Sequence, residues 1–474
     1  MYFLKNFNNH AEYEAFVSGG TMELPNISRC ITQTELHYNP RTWADEYLTF
    51  KALEDGTISF NIWKSMGTDM ITSISYSTDN GETWTTTNNT DNKTNNLQIT
   101  VNVNSGNTVL WKGTATQTGY YDTDDYGDYI GSFFSSTCRF NAKGNIMSML
   151  YGDNFTGQTT LTEDYSMALL FSDYNEDLSC SIVNAENLVL PATTLTTYCY
   201  YGMFNNCSSL TTTPSLPATT LASSCYTSMF RGCTSLTTAP ELHAETLANG
   251  CYSRMFLGCR SLTTAPELPA TTLTTACYSS MFLGCRSLTT APLLPATTLA
   301  ERCYENMFAR CTSLTVAPEL PATTLANYCY YRMFDECTSL TTAPELHAET
   351  LASGCYSYMF GACTSLTTAP ELPATTLANH CYDTMFYACT SLTTAPELPA
   401  TGLASYCYQD MFLNCTNLNY IKAMFTTTPS TDYTNSWVSG VAATGTFVKN
   451  SAAQWNVTGV NGIPSGWTVE TASS

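Results

Sequence analysis

The sequence has few charged residues and no long apolar run, and both facts exclude certain classes of function. Only 12% of its 474 residues are charged, yet 39 Asp and Glu outnumber 18 Lys and Arg, which gives a formal net charge of -21. Because an acidic chain repels phosphate groups and anionic lipid headgroups, we expect neither a nucleic-acid partner nor insertion into a membrane. Residues 1–10 also lack the apolar run of a secretory signal, so either a signal has been removed or the protein folds in a cytoplasm and leaves by another route, and the initial Met favours the second.

Histidine is scarce as well, and no catalytic or metal-binding arrangement can be assembled from the few that occur. The five are His10, His37, His243, His347 and His380. Their spacing yields neither a Ser-His-Asp nor a Cys-His arrangement, and it does not match that of zinc ligands. We therefore expect no catalytic residues, no metal ligands, no cofactor and no enzymatic activity. Paired carboxylates for glycoside hydrolysis are not excluded, but no pattern points to them.

Residues 122–128 form an acidic segment that could wrap a calcium ion, since hard cations prefer clustered carboxylates. Phe133 stands where an EF-hand loop would carry its twelfth-position Glu. A solvated acidic loop is the favoured interpretation, and calcium binding stays open.

The sequence does contain an unbroken internal repeat of 26 residues. The hexad Leu-Pro-Ala-Thr-Thr-Leu, or a close variant, occurs nine times, first at Leu190 and last at Leu398. Cys-Tyr, Met-Phe and a second Cys follow in every copy, first at Cys199, Met203 and Cys207. A fixed period of this length predicts a solenoid, in which each coil buries its apolar side against its neighbours.

Each coil is predicted to combine a helical side with a strand side. Cys199, Met203 and Cys207 are spaced i, i+4, i+8, which places them on one stripe of a short helical segment. Residues 210–214 are predicted to form a short strand that ends at Pro214. The predicted fold is thus an α/β solenoid of nine coils over residues 189–418.

The repeat resembles the BspA-type leucine-rich repeats found in surface proteins of anaerobic gut bacteria and their phages. Cys277-Tyr278 departs from the Ile-Gly that many members carry there, and the coil is slightly longer. The resemblance implies adhesion or receptor recognition rather than catalysis, and residues 437–467 look like the closing segment of such proteins. The residues that carry it in one coil are Leu268, Pro269, Leu273, Phe282, Cys285 and Leu288.

Residues 1–41 are similar to short N-termini of phage and mobile-element structural proteins, and we expect a short helix at 11–18. This similarity implies an anchor that docks on a structural protein of a virion or cell envelope. The predicted function is a phage fibre or spike component on the virion surface, whose solenoid binds a protein or polysaccharide of the host surface. The alternative is a bacterial cell-surface adhesin that binds host proteins or glycans. Assembly into a homo-oligomer is left open.

The segments that flank the repeat are predicted to cover its ends. Short β-prone runs separated by Asp-Gly and Ser-Gly turns predict a small β-sandwich over residues 42–114. Residues 115–188 are predicted to be degenerate repeats that cap the N-terminal end, and residues 419–474 to cap the other end. Within the sandwich, residues 77–84 match the Asp-box of sialidases, which is a turn motif, so a single copy predicts a β-hairpin and not sialidase activity.

The repeated cysteines are predicted to be buried, reduced thiols that act as small apolar groups. Cys199 and Cys207 would lie ~12 Å apart along a helix, which is too far for a disulfide bond. Equivalent cysteines on neighbouring coils could approach each other, but an odd number of copies leaves one over.

Comparison of the nine copies locates the variable positions. Thr-Thr-Ala-Pro-Glu is almost constant on the strand side, whereas the positions flanking Cys-Tyr and following Met-Phe change in every coil. Variation wherever packing permits and a Tyr- and Arg-rich recognition face both explain this, and the uniform strand side could instead bind a repetitive polysaccharide. The candidate ligand-binding residues, all expected on a solvent-facing helical side, are Arg254, Tyr331, Arg332, Tyr358, Asp383 and Tyr387.

Overall fold

The computed structural model describes residues 43–62, 71–88, 97–116, 118–121, 129–173 and 179–472. The predicted anchor 1–41, its helix at 11–18 and the acidic segment 122–128 lie outside the described residues. One continuous apolar core runs from Leu48 near the start to Trp467 near the end. Among the described residues, no helix is both long enough and apolar enough to cross a membrane.

Two packed β-sheets form the N-terminal part of the structure. The first has six strands in the order β11-β10-β1-β6-β3-β4, the second has three in the order β5-β2-β9, and β7 and β8 form a separate hairpin. Helix α1, Ser148–Tyr151, follows β10. The strands are β1 Leu48–Ala52, β2 Gly56–Ile62, β3 Ile71–Ser77, β4 Thr85–Asn88, β5 Leu97–Val103, β6 Thr108–Ala115, β7 Gly119–Tyr121, β8 Tyr129–Gly131, β9 Phe133–Ser136, β10 Phe140–Asn145 and β11 Ile182–Val189.

Aromatic side chains hold the two sheets together. The Phe134 ring of β9 lies 4.7 Å from that of Phe50 in β1 and 5.2 Å from that of Trp111 in β6, between ring centroids. Strands β9 and β10 pair with β2 and β1, so they belong to these sheets although they lie beyond the predicted boundary at residue 114. Pairing between strands so distant in sequence is not visible in a local pattern.

The predicted helical side of the coils is wrong, because residues 190–418, all of them described, contain no α-helix. Three consecutive turns replace it, and each turn contains one residue in the left-handed backbone region. In one coil these are Ser224, Ser228 and Gly232, with φ of 52°, 57° and 72°. A left-handed residue at every fourth position interrupts a right-handed helix. Such turns repeat every four residues, so they bury the same i, i+4, i+8 side chains that a helix would bury.

Hydrogen bonds between coils explain why the turns form. The N–H of Thr227 bonds back to the carbonyl of Ser224, three residues earlier, at 3.2 Å. The N–H of Tyr226 instead bonds forward to the carbonyl of Cys251 in the next coil at 3.0 Å. Local and inter-coil bonds alternate in this way along the segment. A helix would use its N–H groups internally, whereas the turns leave half of them to link the coils.

The strand side of each coil consists of single bridged residues rather than the predicted short strand. Thr238, Thr264 and Thr290 form one such ladder of parallel bridges. Bridges at equivalent positions join Asn184 of β11 to Thr212 at one end and Thr394 to Tyr420 at the other. The first sheet and the solenoid are therefore continuous.

The coil geometry extends beyond the nine sequence repeats at both ends. Residues 161–173 and 179–190 belong to a degenerate coil, in which Tyr165 and Leu169 have φ of 59° and 60° and the Met167 N–H bonds to the Cys199 carbonyl at 2.8 Å. The predicted C-terminal cap continues the ladder as parallel strands with a short helix, α2. These elements are β12 Tyr420–Ala423, α2 Thr431–Thr434, β13 Thr446–Lys449 and β14 Thr468–Thr471.

Stacked columns of identical side chains fill the solenoid. The phenylalanine rings stack from Phe171 to Phe412 with centroids 5.2–5.8 Å apart. The tyrosine rings stack beside them from Tyr200 to Tyr408 at 5.7–6.0 Å. Phe134 of β9 stacks on Phe171 at 5.6 Å, so the phenylalanine column begins inside the N-terminal sheets.

The 20 cysteines that the structure describes are buried with free thiols. In the second cysteine column each thiol donates to the phenylalanine carbonyl of the preceding coil, as Cys285 does to Phe256 at 3.1 Å. Burial raises the pKa of thiols such as Cys259 to about 12, so they keep the proton that they donate. The cysteines are thus more than small apolar groups, because they also satisfy a buried acceptor.

Candidate functional site

Of the six variable positions in each coil, three carry the left-handed backbone and the other three directly precede them. The left-handed positions form three columns, which precede Cys-Tyr, Met-Phe and the second Cys, and we call their surface the turn face. Left-handed φ favours Gly, and to a lesser degree Asn and Asp, yet six of the nine residues in the middle column are of other types. The middle column is Gly202, Ser228, Arg254, Ser280, Asn306, Arg332, Tyr358, Thr384 and Asp410.

All six residues selected from the sequence lie on or beside the turn-face columns. Arg254, Arg332 and Tyr358 occupy the middle column with φ of 54–57°. Tyr331 and Asp383 each precede a residue of that column, and Tyr387 precedes a residue of the third. The six therefore share a face, although it is built from turns and not from helices.

Asp383 does not face solvent as expected, since only 9% of it is exposed. Its carboxylate accepts a hydrogen bond from the Thr384 hydroxyl at 2.8 Å and lies 3.2 Å from His380 Nδ1. Burial raises the pKa of this carboxyl above its usual range. Asp383 supports the turn rather than presenting a charge to a ligand.

A groove of about 390 Å³ crosses the turn face. Arginines stand at both ends, with Arg231 and Arg254 at one and Arg310 and Arg332 at the other. The middle of the groove is open because its lining includes small side chains, among them Ser280 and Ala309. The full lining is Arg231, Arg254, Leu257, Ser280, Leu283, Asn306, Ala309, Arg310, Arg332 and Asp335.

Two tyrosines orient the Arg332 guanidinium. Its central carbon lies 4.4 Å from the centroid of the Tyr358 ring and 5.4 Å from that of Tyr331, within range of cation–π attraction. The Nε of Arg332 is buried and has no hydrogen-bond acceptor among the described residues. Stacking on the two rings therefore fixes the orientation of a guanidinium that lines the groove.

The charges around the groove favour an anion. Arg310 forms an ion pair with Glu336 at 2.9 Å. In the part of the chain that the structure describes, Arg231, Arg254 and Arg332 form no ion pair with a carboxylate. These three cations lie in a chain of strongly negative net charge, which makes this patch distinct.

Asp335 is the one acidic residue in the lining. Burial raises the pKa of its carboxyl to about 6, against the opposing influence of Arg332. Gly361 in the next coil leaves room for it, since a Cβ at that glycine would lie 2.5 Å from Asp335 Oδ1. The negative charge of the groove therefore falls as the pH drops through about 6.

The sequence prediction omits several residues of the groove, including Arg231, Asn306 and Arg310. An alignment of the nine copies places these residues in or beside the variable columns, so the variation between copies was a signal from which they could have been predicted. The concavity between them was not predictable, because it depends on small side chains in one coil lying between large ones in adjacent coils.

The strand side presents a different chemistry. Its glutamates are exposed, as Glu267 and Glu319 show, and exposed Leu293 interrupts their rank. The first threonine of several coils donates its hydroxyl to the carbonyl of the preceding coil, as Thr289 does to Thr263 at 3.4 Å. Those hydroxyls stabilise the stack, which leaves fewer of them for a ligand.

Residues 77–84 form the predicted hairpin, in which β3 and β4 pair antiparallel. The Ser77 hydroxyl and the Thr83 N–H donate to the Asp79 carboxylate at 2.7 and 2.9 Å. Hydrogen bonds from Thr83 and Ser77 hold the pKa of Asp79 down at about 2. In the described residues, no group of three or more His, Cys, Asp or Glu is placed to hold a metal ion.

Comparison with known proteins identifies the repeat. The family model for the BspA type leucine rich repeat region matches residues 179–289, 244–358 and 333–435, which together exceed half of the chain. A solved structure of a leucine-rich repeat protein from Bacteroides ovatus is 14% identical, over 75% of this chain and 99% of its own. Its TM-score of 0.27 is too low to support a conclusion about the fold. No curated protein matches the sequence. On the strength of the family model, this chain belongs to the BspA-type leucine-rich repeat family.

Proposed function

We propose that the chain is a non-enzymatic recognition protein that binds a receptor on a cell surface through its turn face. The observation that carries this proposal is the concentration of sequence variation at left-handed turn positions. Variation under packing constraints alone would favour Gly and Asn there, because other residues raise the energy of the folded backbone. Gly, Asn and Asp occupy only ten of the 27 left-handed positions, and residues such as Arg and Tyr, which are enriched at binding hot spots, occur among the other 17.

Two locations compatible with this role differ in what supports them. Family membership favours a bacterial surface or extracellular location, which suits an adhesin that binds host proteins or glycans. The resemblance of residues 1–41 to phage structural proteins supports a fibre or spike on a virion, with those residues docked on the particle. We place the fibre first because it gives both the N-terminal segment and the solenoid a role.

Immunogold electron microscopy of particles from the source culture tests the location. Antibody raised against the solenoid is expected to label virions and to leave cell envelopes unlabelled. Label confined to cell envelopes would replace the fibre with the adhesin. Label on neither would contradict both locations.

Binding of the purified chain to bacterial and host cells tests the role of the turn face. The double substitution Tyr331→Ala and Tyr358→Ala removes two partly exposed aromatic side chains of that face, and we expect cell binding to fall about tenfold or more. The matched control is Thr264→Ala with Thr290→Ala on the strand side, which should leave cell binding unchanged. Equal loss in both pairs, or loss only in the control, would refute the proposed face.

A further inference from the structure

We infer that the groove between Arg231 and Asp335 binds an anionic sugar residue, whose carboxylate or sulfate is held by the groove arginines. The inference rests on the proposed function, because it names the ligand class of the same turn face. It concerns five adjacent coils of the solenoid, whereas the recognition role could use any part of the face.

The size of the groove suits one or two sugar units. Its volume of about 390 Å³ lies at the lower end of the range for small-molecule sites, roughly 300–1,000 Å³. Arg254 and Arg332 of the middle column lie three coils apart, or ~15 Å at the usual strand spacing. Arginines close both ends, so an extended peptide chain would have to pass over them, whereas a short oligosaccharide fits between them.

The arginines are arranged to bind an acid group. Arg332 lines the groove, is oriented by stacking on Tyr358 at 4.4 Å and forms no ion pair in the described structure. A guanidinium can bind a carboxylate or sulfate with two parallel hydrogen bonds. Arg254 lies at the other end without an ion-pair partner in the described structure, so it can bind a second acid group or a neighbouring hydroxyl.

The middle of the groove offers what a sugar ring needs. Ser280 and Asn306 provide a hydroxyl and an amide for hydrogen bonds to sugar hydroxyls. Leu257 and Leu283 provide an apolar surface for the C–H face of the ring. An acidic peptide would find the same cations but would leave the polar middle with less to bind.

The backbone provides an independent reason to assign a role to the arginines. Arg254 and Arg332 both have a left-handed backbone, with φ of 57° and 54°. With arginine at a left-handed position the folded chain is less stable than with glycine, and glycine does occur in the same column, at Gly202, two coils before Arg254. A contribution to binding explains why arginine is present at these positions.

Calorimetric titration of the purified full chain tests the inference. The probes are oligosaccharides that carry glucuronate, N-acetylneuraminate or sulfate, with neutral dextran oligosaccharide and hexaglutamate for comparison. We expect at least one acidic sugar to bind, neutral dextran not to bind, and hexaglutamate to bind more weakly than that sugar. The affinity should fall as salt is added, because the charges are partly exposed.

A pair of double variants provides the matched control. Arg254→Ala with Arg332→Ala should reduce the affinity for the acidic sugar by about 10- to 100-fold, as expected for lost charge-assisted hydrogen bonds. Arg260→Ala with Arg286→Ala removes the same charge from exposed positions outside the groove and should change it less than about twofold. Thermal denaturation of each variant establishes that it is folded.

Several outcomes would overturn the inference while leaving the proposed function intact. They are binding to none of the acidic sugars, tighter binding to hexaglutamate, equal binding to dextran, or equal loss in the two double variants. In each case, cell binding that still depends on Tyr331 and Tyr358 would uphold the turn face as the recognition surface. If the wild-type chain bound neither an acidic sugar nor cells, both proposals would be refuted.

Discussion

The strand side and the turn face of the solenoid belong to the same coils but follow different rules. On the strand side, Thr-Thr-Ala-Pro-Glu recurs almost unchanged, and single threonines bridge coil to coil. On the turn face, backbone hydrogen bonds also link the coils, yet the side chains change in every copy. Regular stacking therefore does not require regular side chains.

The difference shows which side chains the fold uses and which it only tolerates. Buried columns and hydroxyl-linked threonines contribute to stacking, so a change in one coil is felt by both of its neighbours. Turn-face side chains project from a backbone whose bonds are made by N–H and C=O groups. Variation there leaves the stack intact, which makes the turn face the surface free to acquire a binding function.

The largest effect is expected from an interruption of a buried column. Phe282 is fully buried and stacks on Phe256 and Phe308, each at 5.7 Å. Phe282→Ala should lower the free energy of unfolding by about 3–5 kcal/mol, from lost burial plus a cavity. Urea denaturation measures this, with exposed Thr264→Ala as the control at less than about 0.5 kcal/mol. Similar losses for both variants would remove the distinction between core and strand surface.

A smaller loss is expected when a buried thiol donor is removed. Cys285→Ala deletes the S–H group that donates to the Phe256 carbonyl, and also the volume of the sulfur. We expect a destabilisation of about 1–3 kcal/mol by urea denaturation. Labelling of the native wild-type chain with a thiol reagent provides a second check. Of the 21 cysteines, 20 are described and buried, so at most Cys30 should react rapidly. Rapid labelling of several thiols would contradict the burial of the columns.

A pH-dependent gain is expected at Asp335 on the turn face. Burial raises its pKa in the fold from 3.8 to about 6, so the folded chain retains a proton that the unfolded chain loses as the pH rises from about 4 to 6. Stability therefore falls over that window and stays lower above it. Asp335→Asn should stabilise the chain above pH 6 by about 1–2 kcal/mol, after allowance for partial exposure, and have little effect near pH 4. Thermal melts across this range measure the difference, and a gain that is independent of pH would contradict the assignment.

The smallest effects distinguish the two sides by sign. Arg254→Gly relieves a left-handed backbone and should raise stability by up to about 1 kcal/mol. Thr264→Gly on the strand side, where no positive φ occurs, should lower it by about 0.5–1 kcal/mol. The two melting temperatures should therefore move in opposite directions. A shift in the same direction for both would show that the left-handed position is not strained.

Much of the fold and part of the site could be predicted from the sequence. The period of 26 identified the solenoid, and the recurrence of Cys, Met and Cys at a spacing of four identified one buried stripe of each coil. Variation between copies selected Arg254 and Arg332, which the structure places at opposite ends of one groove. Two predictions about the site were wrong: Asp383 was expected to be exposed, and Arg231 was left out. Exposure, and which side chains meet in one groove, depend on neighbours 26 or more residues away in the sequence.

The sequence alone determined that the coils stack and that they bury the repeated Cys, Met and Cys, because a fixed repeat aligns identical residues and stacking is the way each coil can cover its apolar side. Tertiary structure decided that the segment around Cys-Tyr and Met-Phe forms turns rather than a helix. Both conformations bury side chains at a spacing of four, so the pattern could not separate them. The deciding factor was the hydrogen bonds between coils, which exist only once neighbouring coils are in place.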